Sequence, residues 1–192
     1  MIADKDRSGW FGASDTCYIC GNWTTNTFAK WWLTKEGISS NNIETRAMLA
    51  GTNYEHRILD FIGVKEKDKQ ILIPELRLRV NLDGNDETTD YEIKTYKLDN
   101  GFSVPKRYVQ QVNVQMYASG LKGKIVAYGL TEENYINFLL PIDKNRLSYH
   151  DVVYDNTFIS EWLSKIKYLA HCLDLHVFPT KEGYDDYSKT NL

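Results

Sequence analysis

The segment Leu76–Thr95 reads LRLRVNLDGNDETTDYEIKT, with a turn-forming Asp83-Gly84 pair near its centre. Apolar and polar residues alternate around that pair, and a period of two is typical of β-strands. On the second strand Glu92 and Lys94 point to one face, whereas Ile93 points to the other. If the two strands pair across the intervening loop, Asp83 lies beside Glu92. The segment therefore predicts two carboxylates and one ammonium group within a few ångströms of each other.

These three charged groups suit metal-assisted hydrolysis. Paired carboxylates can hold a hard, oxygen-seeking ion such as Mg²⁺, which keeps several waters and completes its shell with a phosphate. Such an ion lowers the pKa of a bound water and neutralises a scissile phosphate, while Lys94 would orient the attacking water. The alternative is a plain turn at Asp83 followed by an exposed, salt-bridged strand face. These residues alone leave both interpretations open.

The order of the other predicted elements indicates the fold class. The helical and strand periods favour an α/β (or α+β) single domain with a central mixed β-sheet flanked by helices. We expect this domain to cover residues 1–180 and the polar tail, residues 181–192, to be loose. The predicted helices cover a short segment between Gly12 and Gly21 capped by Ser14 or Asp15, then 24–35, about 42–63, 105–119 and 157–175. The predicted strands cover 70–74, 76–84, 88–97, 124–130 and 135–142.

The composition excludes several classes of protein. A chain of 192 residues that is 42% hydrophobic and 26% charged is neither collagenous, low-complexity nor largely disordered. The net charge of -3 argues weakly against non-specific coating of nucleic acid. With no apolar N-terminal segment and no run of 18 apolar residues, we expect neither secretion nor a membrane span. The chain has three cysteines, an odd number, so we expect them to be reduced thiols in a cytoplasmic protein.

Five short motifs occur in the order that one nuclease family shows. They are RSGWFGASD from Arg7, GTNYE ending at Glu55, LDG from Leu82, YEIKT from Tyr91 and YVQQV from Tyr108. With them the chain resembles the PD-(D/E)XK nuclease superfamily, and within it the YqaJ-like viral recombinases, the lambda exonuclease-like group. The resemblance implies a restriction-endonuclease-like core. One departure is Leu82, because the family often has proline at that position.

The resemblance also implies the roles of the site residues. The metal ligands would be Asp83, Glu92 and the backbone carbonyl of Ile93, with Glu55 holding a second ion or its water. Lys94 would activate or position the nucleophilic water. Gln111 would hold the hydrogen-bond network of the site together.

A pocket for a terminal 5′-phosphate is implied at Arg7 and Ser14. An arginine fork and a hydroxyl group are suitable donors to a phosphate. Trp10 or Phe11, which lie between them, could stack on a terminal base, and Tyr108 is a further candidate for DNA contact. Without the pocket, Arg7 is a surface residue and Ser14 a plain helix cap.

The resemblance implies a Mg²⁺-dependent deoxyribonuclease, with Mn²⁺ as an alternative ion. It would degrade double-stranded DNA from an end, 5′ to 3′, in phage-type recombination and supply single strands to an annealing recombinase. A ring-shaped homo-oligomer, a trimer in this family, would explain processivity. The alternatives are an endonuclease of the same superfamily and an inactive module that binds DNA or a protein partner.

A zinc site is an alternative role for the cysteines. Cys17 and Cys20 are spaced as C-x₂-C, and Cys172 and His176 as C-x₃-H, which are usable ligand spacings. The other interpretation is that Cys17 and Cys20 are small, buried, reduced residues of a short helix. We favour the second interpretation.

Overall fold

The computed structural model describes residues 6–40 and 44–191 of the chain. These residues divide into two compact units. The terminal unit comprises residues 6–40, 70–80 and 155–191, and the central unit comprises residues 44–69 and 81–154.

Six α-helices lie in the described residues. They are α1 (Thr16–Ile19), α2 (Asn26–Lys35), α3 (Arg46–Phe61), α4 (Lys106–Ser119), α5 (Asn156–Leu175) and α6 (Lys181–Asn191). Side-chain caps fix where three of them begin: Thr25, Thr45 and Asp155 accept the backbone N–H of the third helical residue of α2, α3 and α5. Gly120, with a φ of 72°, ends α4 in the left-handed conformation.

One mixed sheet contains the five strands of the described residues in the order β1-β2-β3-β4-β5. The strands are β1 (Glu66–Ile73), β2 (Leu78–Asn85), β3 (Thr89–Lys97), β4 (Lys122–Leu130) and β5 (Leu147–Val152). β3 is antiparallel to β2 and parallel to β4, and β5 is antiparallel to β4. The parallel pair needs a crossover, which α4 supplies. The α/β class and the central mixed sheet are as predicted.

The terminal unit has an aromatic core. Phe11 is buried and stacks on Trp31 and Trp32 of α2. Trp162 and Ile166 of α5 are also buried. Burial of such large rings is a major source of hydrophobic stabilisation, so the helical pair Trp31 and Trp32 belongs to the core.

The core of the central unit joins α3 to the sheet. The buried cluster consists of Ala50, Tyr54, Ile58, Leu59, Val64, Ile93, Val126, Tyr128 and Leu130. On β4, a Cβ atom at Gly123 would stand only 2.3 Å from Val112 Cγ1 of α4. Glycine is therefore required where α4 crosses β4.

The strand predicted over 135–142 is wrong. A 3₁₀ turn over Glu132–Tyr135 and irregular chain occupy this region, and β5 follows later. Ile136 and Leu139 are exposed. The guanidinium of Arg57 donates to the carbonyls of Phe138, Leu139 and Leu140, so side-chain hydrogen bonds replace strand pairing.

Two further expectations need correction. The tail from Lys181 forms α6 rather than a loose segment, since Tyr184 packs on Trp23 and Tyr168 and its hydroxyl bonds to Ser164. The turn between β2 and β3 lies at 86–88, and β2 continues through Asp83 to Asn85. The predicted start of the third helix at residue 42 lies outside the described residues. Among the helices of the described chain, none has the length and apolar character needed to cross a membrane.

Candidate active site

Asp83 and Glu92 lie on neighbouring antiparallel strands. The register of β2 and β3 pairs Gly84 with Tyr91, and continuing it by one residue places Asp83 opposite Glu92. The backbone N–H of Ile93 donates to Asp83 Oδ2 over 2.8 Å, while the Ile93 side chain is buried in the core of the central unit. The predicted juxtaposition of the two carboxylates is therefore present.

Three donors surround the carboxylate of Glu92, which is only 2% exposed. The Lys94 ammonium group and Gln111 Nε2 both donate to Oε1, the latter over 2.6 Å. Gln115 Nε2 donates to Oε2. The spacing of four residues between Gln111 and Gln115 predicts both amides on one face of α4, and both donate to Glu92.

Lys94 is a cation held between an anion and an aromatic ring. Its ammonium nitrogen lies 4.8 Å from the centroid of the Tyr108 ring. Burial lowers the pKa of Lys94, but the charges of Glu92 and Asp83 outweigh that effect and raise the pKa above its ordinary value. An ammonium group at this position can donate to a water or a phosphate.

The carboxylates outnumber the cations in this part of the central unit. Burial of the carboxyl group, followed by the charges of Glu92 and Glu55, raises the pKa of Asp83 well above its usual range. Burial and then the charge of Glu92 likewise raise the pKa of Glu55. Lys94 opposes both shifts without cancelling them. Neighbouring carboxylates with uncompensated charge offer oxygen donors that fit a hard divalent cation such as Mg²⁺.

Asp90 extends the same face of β3 and was missed by the sequence analysis. It is fully buried, and neither carboxylate oxygen has a hydrogen-bond partner among the described residues. Burial and then the charge of Glu92 raise the pKa of Asp90 to about 8. Because Asp90 lies two residues before Glu92, strand alternation alone could have placed it on this face.

Glu55 projects from α3, one turn after Gly51. A Cβ atom at Gly51 would stand 3.4 Å from Thr95 Oγ1, so a neighbouring strand is what approaches this face of the helix. Glu55 interacts electrostatically with Asp83, Glu92 and Lys94. The structure thus brings Glu55, Asp83, Glu92, Lys94 and Gln111 together in the central unit, and Tyr108 with them. Their catalytic roles stay predictions.

Arg7 and Ser14 meet in the terminal unit. Arg7 Nη1 lies 3.4 Å from Ser14 Oγ, and both residues are exposed. Trp10 is half-buried, so a role in DNA contact stays a prediction for it. Phe11 is fully buried against the tryptophans of α2, so the structure excludes it from stacking on DNA.

A buried ion pair braces the loop that carries Arg7 and Ser14. The Asp15 carboxylate accepts from the Lys35 ammonium over 2.6 Å, from Trp31 Nε1 over 2.9 Å and from the Gly12 N–H over 2.8 Å. Lys35 also donates to the carbonyl of Trp10. Asp15 therefore acts as a buried acceptor in this network, and neither it nor Ser14 caps α1 through its side chain.

The structure does not bring together the four residues of the alternative zinc site. The cysteines are free, with Cys17 exposed and Cys172 buried. His176 Nδ1 instead lies 2.8 Å from Glu36 Oε2. Within residues 6–40 and 44–191, the only three His, Cys, Asp or Glu residues with ligand atoms within 4.8 Å of one another are Glu55, His56 and Asp68.

Comparisons with known proteins define the fold. No family model matches the chain, and no curated protein sequence matches it either. Among solved structures, the chain is similar to an alkaline exonuclease, LHK-Exo, from Laribacter hongkongensis: the TM-score is 0.65 and the identity 19%, over 96% of this chain and 94% of that one. The complex of LHK-Exo with dAMP gives the same values.

A second solved structure agrees with the first. A phage-related exonuclease from Haemophilus somnus 129PT has a TM-score of 0.60 and 11% identity, over 94% of this chain and 96% of that one. At these identities the likeness shows a shared fold, and it spans nearly the full length of each chain. The mixed sheet with its flanking helices is thus a fold that these two exonucleases share.

Proposed function

We propose that this protein is a divalent-metal-dependent deoxyribonuclease that degrades duplex DNA from an end, in the 5′ to 3′ direction. The observation that carries the proposal is the cluster of Asp83, Glu92 and Glu55 around Lys94, within a fold shared with two exonucleases. An excess of carboxylates beside one half-buried ammonium group is poorly suited to a purely structural role. It is well suited to holding a cation against a phosphate.

The chain's own residues would divide the work as follows. Asp83, Glu92, the carbonyl of Ile93 and Glu55 would hold Mg²⁺, or alternatively Mn²⁺. When bound, the ion neutralises phosphate charge and makes water more acidic. Lys94 would orient the attacking water through its N–H groups. Gln111 and Gln115 hold Glu92 in place from α4.

A substrate panel tests this function directly. The substrates are a linear duplex with a 5′-phosphate, the same duplex with a 5′-hydroxyl, and a covalently closed circle, each with Mg²⁺ or with a chelator. We expect Mg²⁺-dependent loss of the linear duplex, early release of a label at the 5′ end and retention of a label at the 3′ end. Cleavage of the circle would indicate an endonuclease instead, and binding without cleavage an inactive module.

Lys94→Met, with Lys97→Met as its control, tests the assigned mechanism. Both lysines lie on β3, but Lys97 is exposed and pairs with Glu132 over 2.9 Å. We expect Lys94→Met to lower the rate of hydrolysis by about 100-fold or more and Lys97→Met to leave it near the wild-type rate. Equal rates for the two variants would refute the role of Lys94.

Arg7 and Ser14 would recognise a terminal 5′-phosphate. The arginine can donate to phosphate oxygens and the hydroxyl can add a further hydrogen bond. We expect Arg7→Ala to remove the preference for 5′-phosphorylated over 5′-hydroxyl ends. Lys30→Ala, which removes an exposed cation of the same unit, should leave that preference unchanged.

The family resemblance extends the proposal to partners. A ring of three subunits would retain the DNA between cleavage steps, and the single strand that remains would be the substrate of an annealing recombinase. Light scattering of the purified protein tests the trimer. A monomeric mass at working concentrations would remove the ring from the proposal without affecting the active site.

A further inference from the structure

His56 and Asp68 lie next to Glu55, carry groups that can bind a metal ion and are not used by the proposed mechanism. His56 Nε2 lies 3.1 Å from Asp68 Oδ2. One ligand atom from each of Glu55, His56 and Asp68 lies within 4.8 Å of the others. Such spacing allows three atoms to bind one ion at about 2.0–2.2 Å with modest movement of the side chains.

The backbone supports this convergence. Glu55 and His56 are consecutive residues of α3, whereas Asp68 lies on β1 in the same unit. Asp68 has a φ of 57°, which is uncommon for a residue other than glycine and interrupts the regular alternation of the strand. That conformation accompanies the contact between the Asp68 carboxylate and His56.

The exposure of the group suits a binding site with access from solvent. All three residues are half-buried, with the His56 side chain 42% exposed and that of Asp68 20% exposed. An ion there could keep waters in its open coordination positions. Two carboxylates and one imidazole also leave the group with net negative charge when the imidazole is neutral.

The donor set indicates the class of ion. Mg²⁺ and Ca²⁺ prefer oxygen ligands throughout, whereas one imidazole nitrogen with two carboxylates suits Mn²⁺ or Zn²⁺. We propose that Glu55, His56 and Asp68 form a transition-metal site that shares Glu55 with the Asp83–Glu92 cluster. A metal ion bound at this site would hold the Glu55 carboxylate, so Glu55 would be less available to the active site and hydrolysis would slow. That effect on hydrolysis rests on the proposed function, whereas metal binding itself does not.

The nitrogen ligand gives this site a distinctive spectroscopic signature. Mn²⁺ held only by Asp83, Glu92 and Glu55 has oxygen ligands, but Mn²⁺ at the proposed site has an imidazole nitrogen in its shell. Pulsed EPR of tag-free protein with one equivalent of Mn²⁺ should therefore show hyperfine coupling to nitrogen. We expect this coupling to be lost in His56→Asn and kept in His171→Asn, which removes a histidine of the terminal unit.

Two further measurements separate this site from the proposed active site. In Asp83→Asn the nitrogen coupling should persist, even though hydrolysis is lost. Calorimetric titration of Zn²⁺ into Asp68→Asn should show an affinity at least about tenfold below that of the wild type, with circular dichroism confirming the fold.

The outcomes are distinguishable. Absence of nitrogen coupling in the wild type, or its persistence in His56→Asn, would overturn the metal site and leave the nuclease proposal untouched. Coupling that depends on His56 in a protein without DNA hydrolysis would support the metal site and count against the nuclease. If both the metal site and DNA hydrolysis are observed, Zn²⁺ should inhibit Mg²⁺-supported hydrolysis. His56→Asn should then need about tenfold more Zn²⁺ than the wild type for the same inhibition.

Discussion

Asp15 in the terminal unit is buried and Asp83 in the central unit is half-buried, and the surroundings of their carboxylates differ. Asp15 accepts from an ammonium group, an indole N–H and a backbone N–H, and Lys35 is its direct counter-ion. Asp83 accepts one backbone N–H, and burial of its carboxyl group, followed by the charges of Glu92 and Glu55, raises its pKa. A carboxylate with a full set of donors supports a fold, whereas a group of carboxylates short of positive charge is typical of a functional site.

Asp83→Asn should give the largest effect. The amide still accepts the N–H of Ile93 but removes a negative charge and a metal ligand. We expect hydrolysis to fall by roughly 1000-fold, because several kcal/mol of charge stabilisation is lost. The stability to denaturant should stay the same or rise. A variant that loses activity only because it unfolds would contradict this interpretation.

Lys35→Met tests the opposite case. It leaves Asp15 as a buried charge without its counter-ion, so the free energy of unfolding should fall by about 3–5 kcal/mol. The double variant Asp15→Asn/Lys35→Met should recover much of that loss, since asparagine is neutral and its one amide oxygen can still accept from either Trp31 or Gly12. Urea denaturation of all three proteins measures the difference, and a double variant as unstable as the single one would show that the charge is not the cause.

Asp90→Asn should change how stability depends on pH. Because the folded-state pKa is about 8, above the ordinary value of 3.8, the folded protein keeps a proton that the unfolded chain releases between these values. Wild-type stability should therefore decrease as pH rises through this window, by on the order of 1 kcal/mol per pH unit. The free energy of unfolding of Asp90→Asn should not show that decrease. Its gain in stability over the wild type should therefore be largest near pH 8. An unchanged pH profile would show that Asp90 is ionised in the folded state.

An exposed ion pair should give the smallest effect. Lys189 pairs with Asp186 over 2.9 Å on α6, and both side chains are more than 70% exposed. Solvent screens such pairs strongly. Lys189→Ala should therefore leave the urea midpoint within experimental error of the wild type, in contrast to Lys35→Met. If Lys189→Ala lost as much stability as Lys35→Met, burial of the ion pair could not explain why one pair stabilises the protein more than the other.

Periodicity predicted the parts of the fold whose residues alternate between core and solvent. β3 and α4 are examples, because the register and the spacing of Gln111 and Gln115 follow from the sequence. β5 was missed because its apolar and polar residues alternate only weakly. Residues 135–142 are more apolar, so their sequence predicted a strand that is not formed. α6 was missed because its polar composition hides the packing of Tyr184 on aromatic rings of the same unit.

The candidate site was predictable only where local rules apply. Strand alternation places Glu92 and Lys94 on one face, and the same rule reaches Asp90. The contact between Lys35 and Asp15 joins residues 20 positions apart, and the contact between His56 and Asp68 depends on how α3 lies against β1. Such contacts are set by tertiary packing, which no local pattern in the sequence specifies.

The carboxylates around Asp83 outnumber the cations, and we propose that they bind a metal ion. Binding of Mg²⁺ to the folded protein tests this claim most directly. Thermal unfolding at neutral pH, with and without Mg²⁺, should show a higher midpoint with the ion in the wild type, because a ligand that binds only the folded state stabilises it. The midpoint of Asp83→Asn should not respond, whereas Asp151→Asn, which alters an exposed carboxylate, should respond like the wild type. Equal Mg²⁺ responses in the wild type and Asp83→Asn, or none in either, would contradict the assignment of this cluster as a metal-dependent active site.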